Sequence, residues 1–344
     1  MLEQTILLAM LRASDSTRRS VGLAFDQLNM GAIETEWRAV LAEPGFTLRR
    51  YGEAHAGAPA VLLIPAPIKR AYIFDLMPLV SVVRRCLEGG FAVYLMEWRQ
   101  SHAEVWGLAQ YAIEWIGTAV QSIAGATGIR PTLVGHSIGG TFAAIFAAAE
   151  PERIQKLLLL AAPLRFGAEA GSLALIVGSS GAEVVEQVTG GAPGSLLDVA
   201  SCAAAPEEFI VGRWHDAGAS LLDPEALSVH QRVIRWTLDE FEQPWQLFAD
   251  IIEQLYRADA FARGELRLAG QQINPAALAE LPVAAVIDKT TRLVPCASAL
   301  APLARPAVFE YVPETGVALQ HVGPLVGRQA HRELWPRLIA WLKE

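Results

Sequence analysis

Five short, nearly uninterrupted apolar runs restrict the folds open to this chain: VLLI at 61–64, FAVYLM at 91–96, TLVG at 132–135, LLLLAA at 157–162 and VAAVI at 283–287. A strand with one wet face alternates apolar with polar residues. A continuous run means that both faces are covered. Helical patterns separate the runs, around 75–88, from about 107 to 124, and in TFAAIFAAA, which Pro151 stops. Strands and helices in this alternation give an α/β chain with a mostly parallel, doubly wound sheet.

The alternation breaks after Pro163. From about 164 to 275 the chain is Gly-, Ala- and Ser-rich and then largely helical, as in SVHQRVIRWTLDEF and PWQLFADIIEQLYRADAF. The sheet pattern resumes with 283–287 and AVFEYV (307–312), and RQAHRELWPRLIAWL closes as an amphipathic helix. The expected organisation is a core in two parts, 1–163 and 276–344, with a helical cap, 164–275, inserted after the strand near 157–162. Residues 1–55 are expected as a helical or irregular lead-in. The cap should cover the carboxyl ends of the strands, where open parallel sheets bind ligands.

The three cysteines, Cys86, Cys202 and Cys296, are far apart and odd in number, which speaks against a disulfide framework and for a reducing, cytoplasmic setting. A net charge of −8 with no basic run argues against nucleic acid as a partner. Ile6–Leu11 reads as part of an amphipathic helix behind an acidic Glu3 rather than a signal peptide. No run reaches the roughly 18 apolar residues of a membrane span. No nucleotide fingerprint and no metal-ligand cluster is visible, so no cofactor or metal is expected.

Gly135-His136-Ser137-Ile138-Gly139 fits G-x-S-x-G between a strand and a helix. That context makes it a nucleophile elbow: the chain turns sharply and lifts the serine hydroxyl to a helix N-terminus, where free N–H groups favour negative charge. The N–H of Ile138 is one expected oxyanion donor. The second should come from Pro65-Ala66-Pro67-Ile68. The prolines have no N–H, which leaves Ala66 or Ile68, with Ile68 favoured. The base should follow the last strand, which selects His321 in LQHVGPLVG over His331, placed inside the final helix facing solvent. His55, His102, His215 and His230 have no motif support. The acid is less determined. Asp288 ends the 283–287 strand and either orients His321 or is an ordinary strand-end residue; Glu314 is a more distant candidate. His136 and Trp98 are expected to line the substrate pocket, although Trp98 also fits plain packing and His136 should point away from the serine. The cap aromatics Trp236, Phe241, Trp245, Phe248 and Tyr256 fit core, with a substrate tunnel as the lesser alternative.

PAPIKRAYIFDL, GGFAVYLMEWRQS, GHSIGGTFAAIFAAAEPERI with AAPLRF, IRWTLDEFEQPWQLFADIIEQLYRADAFARGEL and HVGPLVGRQAHRELWPRLIAWL resemble, in one colinear order over about 60–342, the catalytic subunit of short, two-component polyhydroxyalkanoate synthases. The resemblance implies the α/β-hydrolase fold and acyl chemistry on hydroxyacyl coenzyme A thioesters. It departs at two positions: Ser137 stands where the family has its nucleophilic cysteine, and Thr291 where it has its aspartate. Serine with a histidine base is equipment for hydrolysis, so the expected function is a serine acyl hydrolase of hydroxyalkanoate esters, thioesters or polyester. An elongating acyltransferase and a weakly catalytic protein bound to polyester granules or a synthase subunit are the alternatives. A homo-oligomer fits any of the three.

Overall fold

The computed structural model describes residues 2–53, 56–99, 105–167, 170–189 and 191–344; His55 and His102 lie outside the described residues. Eight strands form one sheet: β1 (Trp37–Ala42), β2 (Phe46–Tyr51), β3 (Ala60–Ile64), β4 (Ala92–Trp98), β5 (Thr132–His136), β6 (Leu157–Leu160), β7 (Val283–Ile287) and β8 (Ala307–Glu310). Their spatial order is β1-β2-β4-β3-β5-β6-β7-β8. β2 runs antiparallel to β1 and β4, and every pairing from β4 to β8 is parallel.

The apolar runs are continuous because the sheet has two dry faces. In β3, Leu62 and Ile64 pack on one side with Tyr94, Trp115, Phe142 and Phe146. Val61 and Leu63 pack on the other with Phe74, Val83, Trp335 and Leu338. Burying each such side chain contributes about 1.5–3 kcal/mol. The covering helices are α2 (Val82–Glu88), α3 (Trp115–Thr127), α4 (Ile138–Ala149) and, at the chain's end, Trp335–Lys343; α1 (Leu2–Gln27) packs instead on helices that follow β6.

The N-terminal part holds more sheet than the sequence suggests. β1 and β2 form a hairpin turned at Glu43, whose N–H donates to Phe46 O (2.9 Å). β1 is an exposed edge strand, so it lacks the apolar run that marks the central strands.

After β6 come the cap helices α5 (Ser172–Gly178), α6 (Ala182–Thr189), α7 (Gly194–Ala204), α8 (Gly212–Ser220), α9 (Pro224–Thr237) and α10 (Trp245–Asp250). A two-stranded hairpin, Leu266–Leu268 with Gln271–Ile273, and the turn Pro275–Glu280 then pack against α4: Leu266, Leu268, Ile273 and Leu278 share a cluster with Phe142. α1 lies across the cap. Asp15 accepts from the N–H (2.9 Å) and Oγ (2.5 Å) of Ser195 and pairs with Arg18, which also pairs with Glu240. Asp26 takes both arms of the Arg235 guanidinium at 2.8 Å. Among the described residues no helix is long and apolar enough to cross a membrane, and no group of three or more His, Cys, Asp or Glu is placed to hold a metal ion. All three cysteines are free.

Candidate active site

Ser137 sits between β5 and α4 at φ +54° and ψ −135°, a backbone region costly for any residue with a Cβ. The surroundings hold it there: its N–H donates to Leu160 O (3.0 Å) and its carbonyl accepts from Gly140 (2.9 Å) and Thr141 (3.2 Å). Gly139 makes the elbow possible. A Cβ there would lie 2.4 Å from the carbonyl oxygen of Pro65, so only glycine lets α4 approach the loop after β3 this closely.

His321 reaches back from the turn Gln320–Val322. Its Nε2 is 2.9 Å from Ser137 Oγ. The sequence brought these two residues together across 184 positions, and the geometry is that of a base beside its nucleophile. Burial, and then His136, holds the His321 ring well below the usual histidine pKa, so it is neutral and able to accept a proton at pH 7.

His136 is nearer the chemistry than its sequence position suggests. Its ring centroid is 4.9 Å from that of His321, and its Nε2 is 3.0 Å from the His321 carbonyl oxygen. A carbonyl only accepts, so Nε2 of His136 carries the proton and donates. Burial lowers its pKa to about 4, against the opposing effect of this bond. His136 thus grips the backbone of His321 as well as lining the cavity.

Asp288 is buried at the end of β7, with Oδ1 accepting from the N–H and the hydroxyl of Thr290, both at 2.7 Å. The structure places it in this local turn and gives it no hydrogen bond to the His321 ring. Thr291 turns toward the cap, where its hydroxyl donates to Glu208 (3.0 Å) and Glu208 also takes the N–H of Arg292 (2.7 Å). The carboxylate of Glu314 caps the N–H groups of Gln329 (2.7 Å) and Ala330 (3.0 Å). Among the described residues, no carboxylate hydrogen-bonds the His321 ring.

Two readings need correction. Trp98 does not line the cavity: it is 2% exposed, packs against Tyr111 and Trp115, and donates its indole N–H to Pro65 O (2.8 Å). It supports the loop after β3 from beneath, because its place at the end of β4 points it into the core face. His331 is buried rather than solvent-facing, donating Nε2–H to Leu325 O (2.7 Å) and stacking on Trp335.

A cavity of about 350 Å³ lies over Ser137 and His321, within the size range of small-molecule sites. Ile138, Phe166, Leu173, Val177, Leu197 and Ile252 give it an apolar wall; Trp236, Phe248 and Tyr256 also line it, Phe248 packing within the cap and Trp236 and Tyr256 against the core clusters that flank the sheet. Ala66 and Ile68 both face it. Ile68 is committed to the cap through its carbonyl, which accepts from Phe241 N–H (2.9 Å). One stretch of wall is charged. Lys69 Nζ donates to Glu240 (2.6 Å) and to Thr237 O (2.7 Å), with Asp198 nearby; burial pushes its pKa well below the usual lysine value. Sequence reasoning missed Lys69, Glu240 and Glu208, because their partners lie 83 to 171 residues away and no motif spacing marks them.

No protein-family model matches the chain. It is 28% identical over 297 residues to the poly(3-hydroxyalkanoate) polymerase subunit PhaC of Haloferax mediterranei, covering 83% of this chain but only 58% of that protein. To the subunit of the same name from Allochromatium vinosum it is 25% identical over 337 residues, covering 95% of this chain and 94% of that protein. Among solved structures it superposes on a monoacylglycerol lipase from Paleococcus ferrophilus with a TM-score of 0.50 at 15% identity, covering 85% of this chain and 98% of the lipase. A carboxylesterase from the thaumarchaeon Nitrososphaera gargenis gives a TM-score of 0.50 at 14% identity, covering 90% and 99%. The chain is an enzyme of the α/β-hydrolase fold that resembles the poly(3-hydroxyalkanoate) polymerase subunit PhaC, with Ser137 where that resemblance places a cysteine.

Proposed function

We propose that the protein is a serine-dependent acyl hydrolase acting on hydroxyalkanoate esters, thioesters or polyester. The observation that carries this reading is the 2.9 Å approach of His321 Nε2 to Ser137 Oγ beneath an apolar cavity. His321 takes the Ser137 proton as the oxygen attacks the acyl carbonyl, and the C=O electron pair moves onto its oxygen. The N–H of Ile138 at the start of α4 supports that oxyanion. For the second donor, Ala66 is favoured over Ile68, because the Pro65–Ala66 peptide is the one packed beside Gly139 at the elbow. As the intermediate collapses, the bond to the leaving alkoxide or thiolate breaks and His321 returns the proton to it. Water, deprotonated by His321, then attacks the acyl-serine, releasing the acid and restoring Ser137.

This cycle needs no cofactor; coenzyme A enters only as the leaving group of a thioester. Three unpaired cysteines fit a cytoplasmic setting. A second reading, transfer of the acyl group to a hydroxyl end of polyester, is favoured by the likeness to polymerase subunits. Incubation with p-nitrophenyl butyrate, a hydroxybutyryl thioester and amorphous polyester tests both. Free acid that disappears in Ser137→Ala supports hydrolysis. Polymer made from the thioester without free acid supports transfer. No Ser137-dependent turnover of any of the three removes both.

A further inference from the structure

We propose that Asp216, a carboxylate of the helical cap, is a positioning residue for His321: it grips the loop that carries the histidine, so that closing the cap and aligning the Ser137–His321 pair are one event. This inference rests on the serine hydrolase reading above.

Asp216 lies on α8 and is 7% exposed. Its carboxylate makes its bonds away from its own helix. Oδ1 accepts from Gly316 N–H (2.8 Å); Oδ2 accepts from Ala318 N–H (2.7 Å) and lies 2.9 Å from Nδ1 of His230 on α9. Gly316 and Ala318 belong to the segment that joins β8 to His321. That segment is bent tightly, with φ +98° at Gly316 and +61° at Ala318. It lies flush on α9: a Cβ at Gly316 would be 2.9 Å from the Cα of Ala226. Val317, Ala318 and Leu319 are buried with Val229 and Val233 of the same helix.

The core holds the other side of the loop. Tyr311 Oη donates to Gln320 (2.7 Å), and Gln320 donates to the Glu314 carbonyl (2.9 Å). The segment is therefore clamped between core and cap, and the cap's half of the clamp is Asp216. Parting the buried carboxylate from the two N–H groups leaves both donors without their partner, while Asp216 keeps only His230. Lifting α8 and α9 either drags the loop along or frees it. This matters here because no carboxylate of the described residues holds the His321 ring. What fixes the ring is its backbone, through His136 on the carbonyl and Asp216 three to five residues earlier.

The titratable groups around the device are His230 from α9 and Tyr311 beyond β8 near Asp216, Glu314 and Asp288 near Tyr311, and His136 from β5 against His321. Fluorophosphonate labelling and p-nitrophenyl butyrate hydrolysis by the full chain, followed across pH, test the proposal in wild type, Asp216→Asn, His230→Gln and Ser137→Ala, with urea midpoints recorded alongside. An asparagine amide keeps one acceptor but faces the second N–H with a donor. Asp216→Asn is expected to lower kcat by about 10²-fold, the scale of an ångström's misplacement, with KM little changed. Its acid limb should also move up toward the ordinary histidine value, because the released ring leaves its burial. His230→Gln leaves both loop bonds and should move both readouts the same way, by less; it carries the test where Asp216→Asn fails to fold. Variants that lose stability yet keep the wild-type kcat per labelled serine and the wild-type pH profile overturn the coupling alone. A wild-type protein that is not labelled at Ser137 overturns the hydrolase reading and this inference with it.

Discussion

Ser137 shows how much of a site one residue can specify. Its φ of +54° is paid for by the turn around it, and the same turn delivers the hydroxyl to His321 and to the N-terminus of α4. Replacing His321 with alanine is expected to cut ester turnover by about 10³-fold or more while substrate still binds, read from kcat and KM. The labelling rate of Ser137 should hold below pH 6.5 and fall only at lower pH. On the proposed mechanism protonation of His321 stops the reaction, and burial keeps that ring's pKa well below the usual value. A midpoint at or above 6.5 would contradict this assignment. That these two residues would meet was legible from their places in the chain: strand, serine, helix for one, and the loop after the last strand for the other. That no carboxylate of the described residues would bond the ring was not legible: Asp288 is taken up by Thr290 and Thr291 by Glu208 of the cap, and such partners are set by tertiary packing. Trp98 shows the same limit. The residue is where the strand pattern puts it, but which face it occupies decides between packing and substrate contact.

Among the elements, the contact between α4 and the loop after β3 tolerates little change. Gly139→Ala places a methyl against backbone that cannot move aside, so it should cost about 1–3 kcal/mol in urea unfolding and depress labelling of Ser137 beyond the loss of folded protein. The cap sets the cavity's reach. Leu173→Trp fills part of its apolar wall, so hydrolysis of a long-chain p-nitrophenyl ester should fall relative to the acetate, visible in the ratio of their kcat/KM values. The central strands could be read from sequence because burial on both faces leaves an unbroken apolar run. The hairpin β1–β2 could not, since an exposed edge strand carries no such mark.

For the molecule as a whole, buried histidines should set acid stability. His136 and His331 are each lowered by burial to about 4. The unfolded chain binds their protons near pH 6.5 and the folded one does not, so stability is complete above that value and declines as pH falls toward 4. Each shift of this size amounts to about 3 kcal/mol. Urea midpoints measured from neutral pH down to about 4.5 should therefore drop steeply, and His331→Gln should flatten the slope. Glu240 ties distant parts together, because its one carboxylate is shared between Arg18 of α1 and Lys69 in the cavity wall. Anything that unseats the amino-terminal helix, whether a protease nick or a bulky fusion partner, would leave that acid to the lysine alone and reset the electric potential inside the cavity from some twenty residues into the chain.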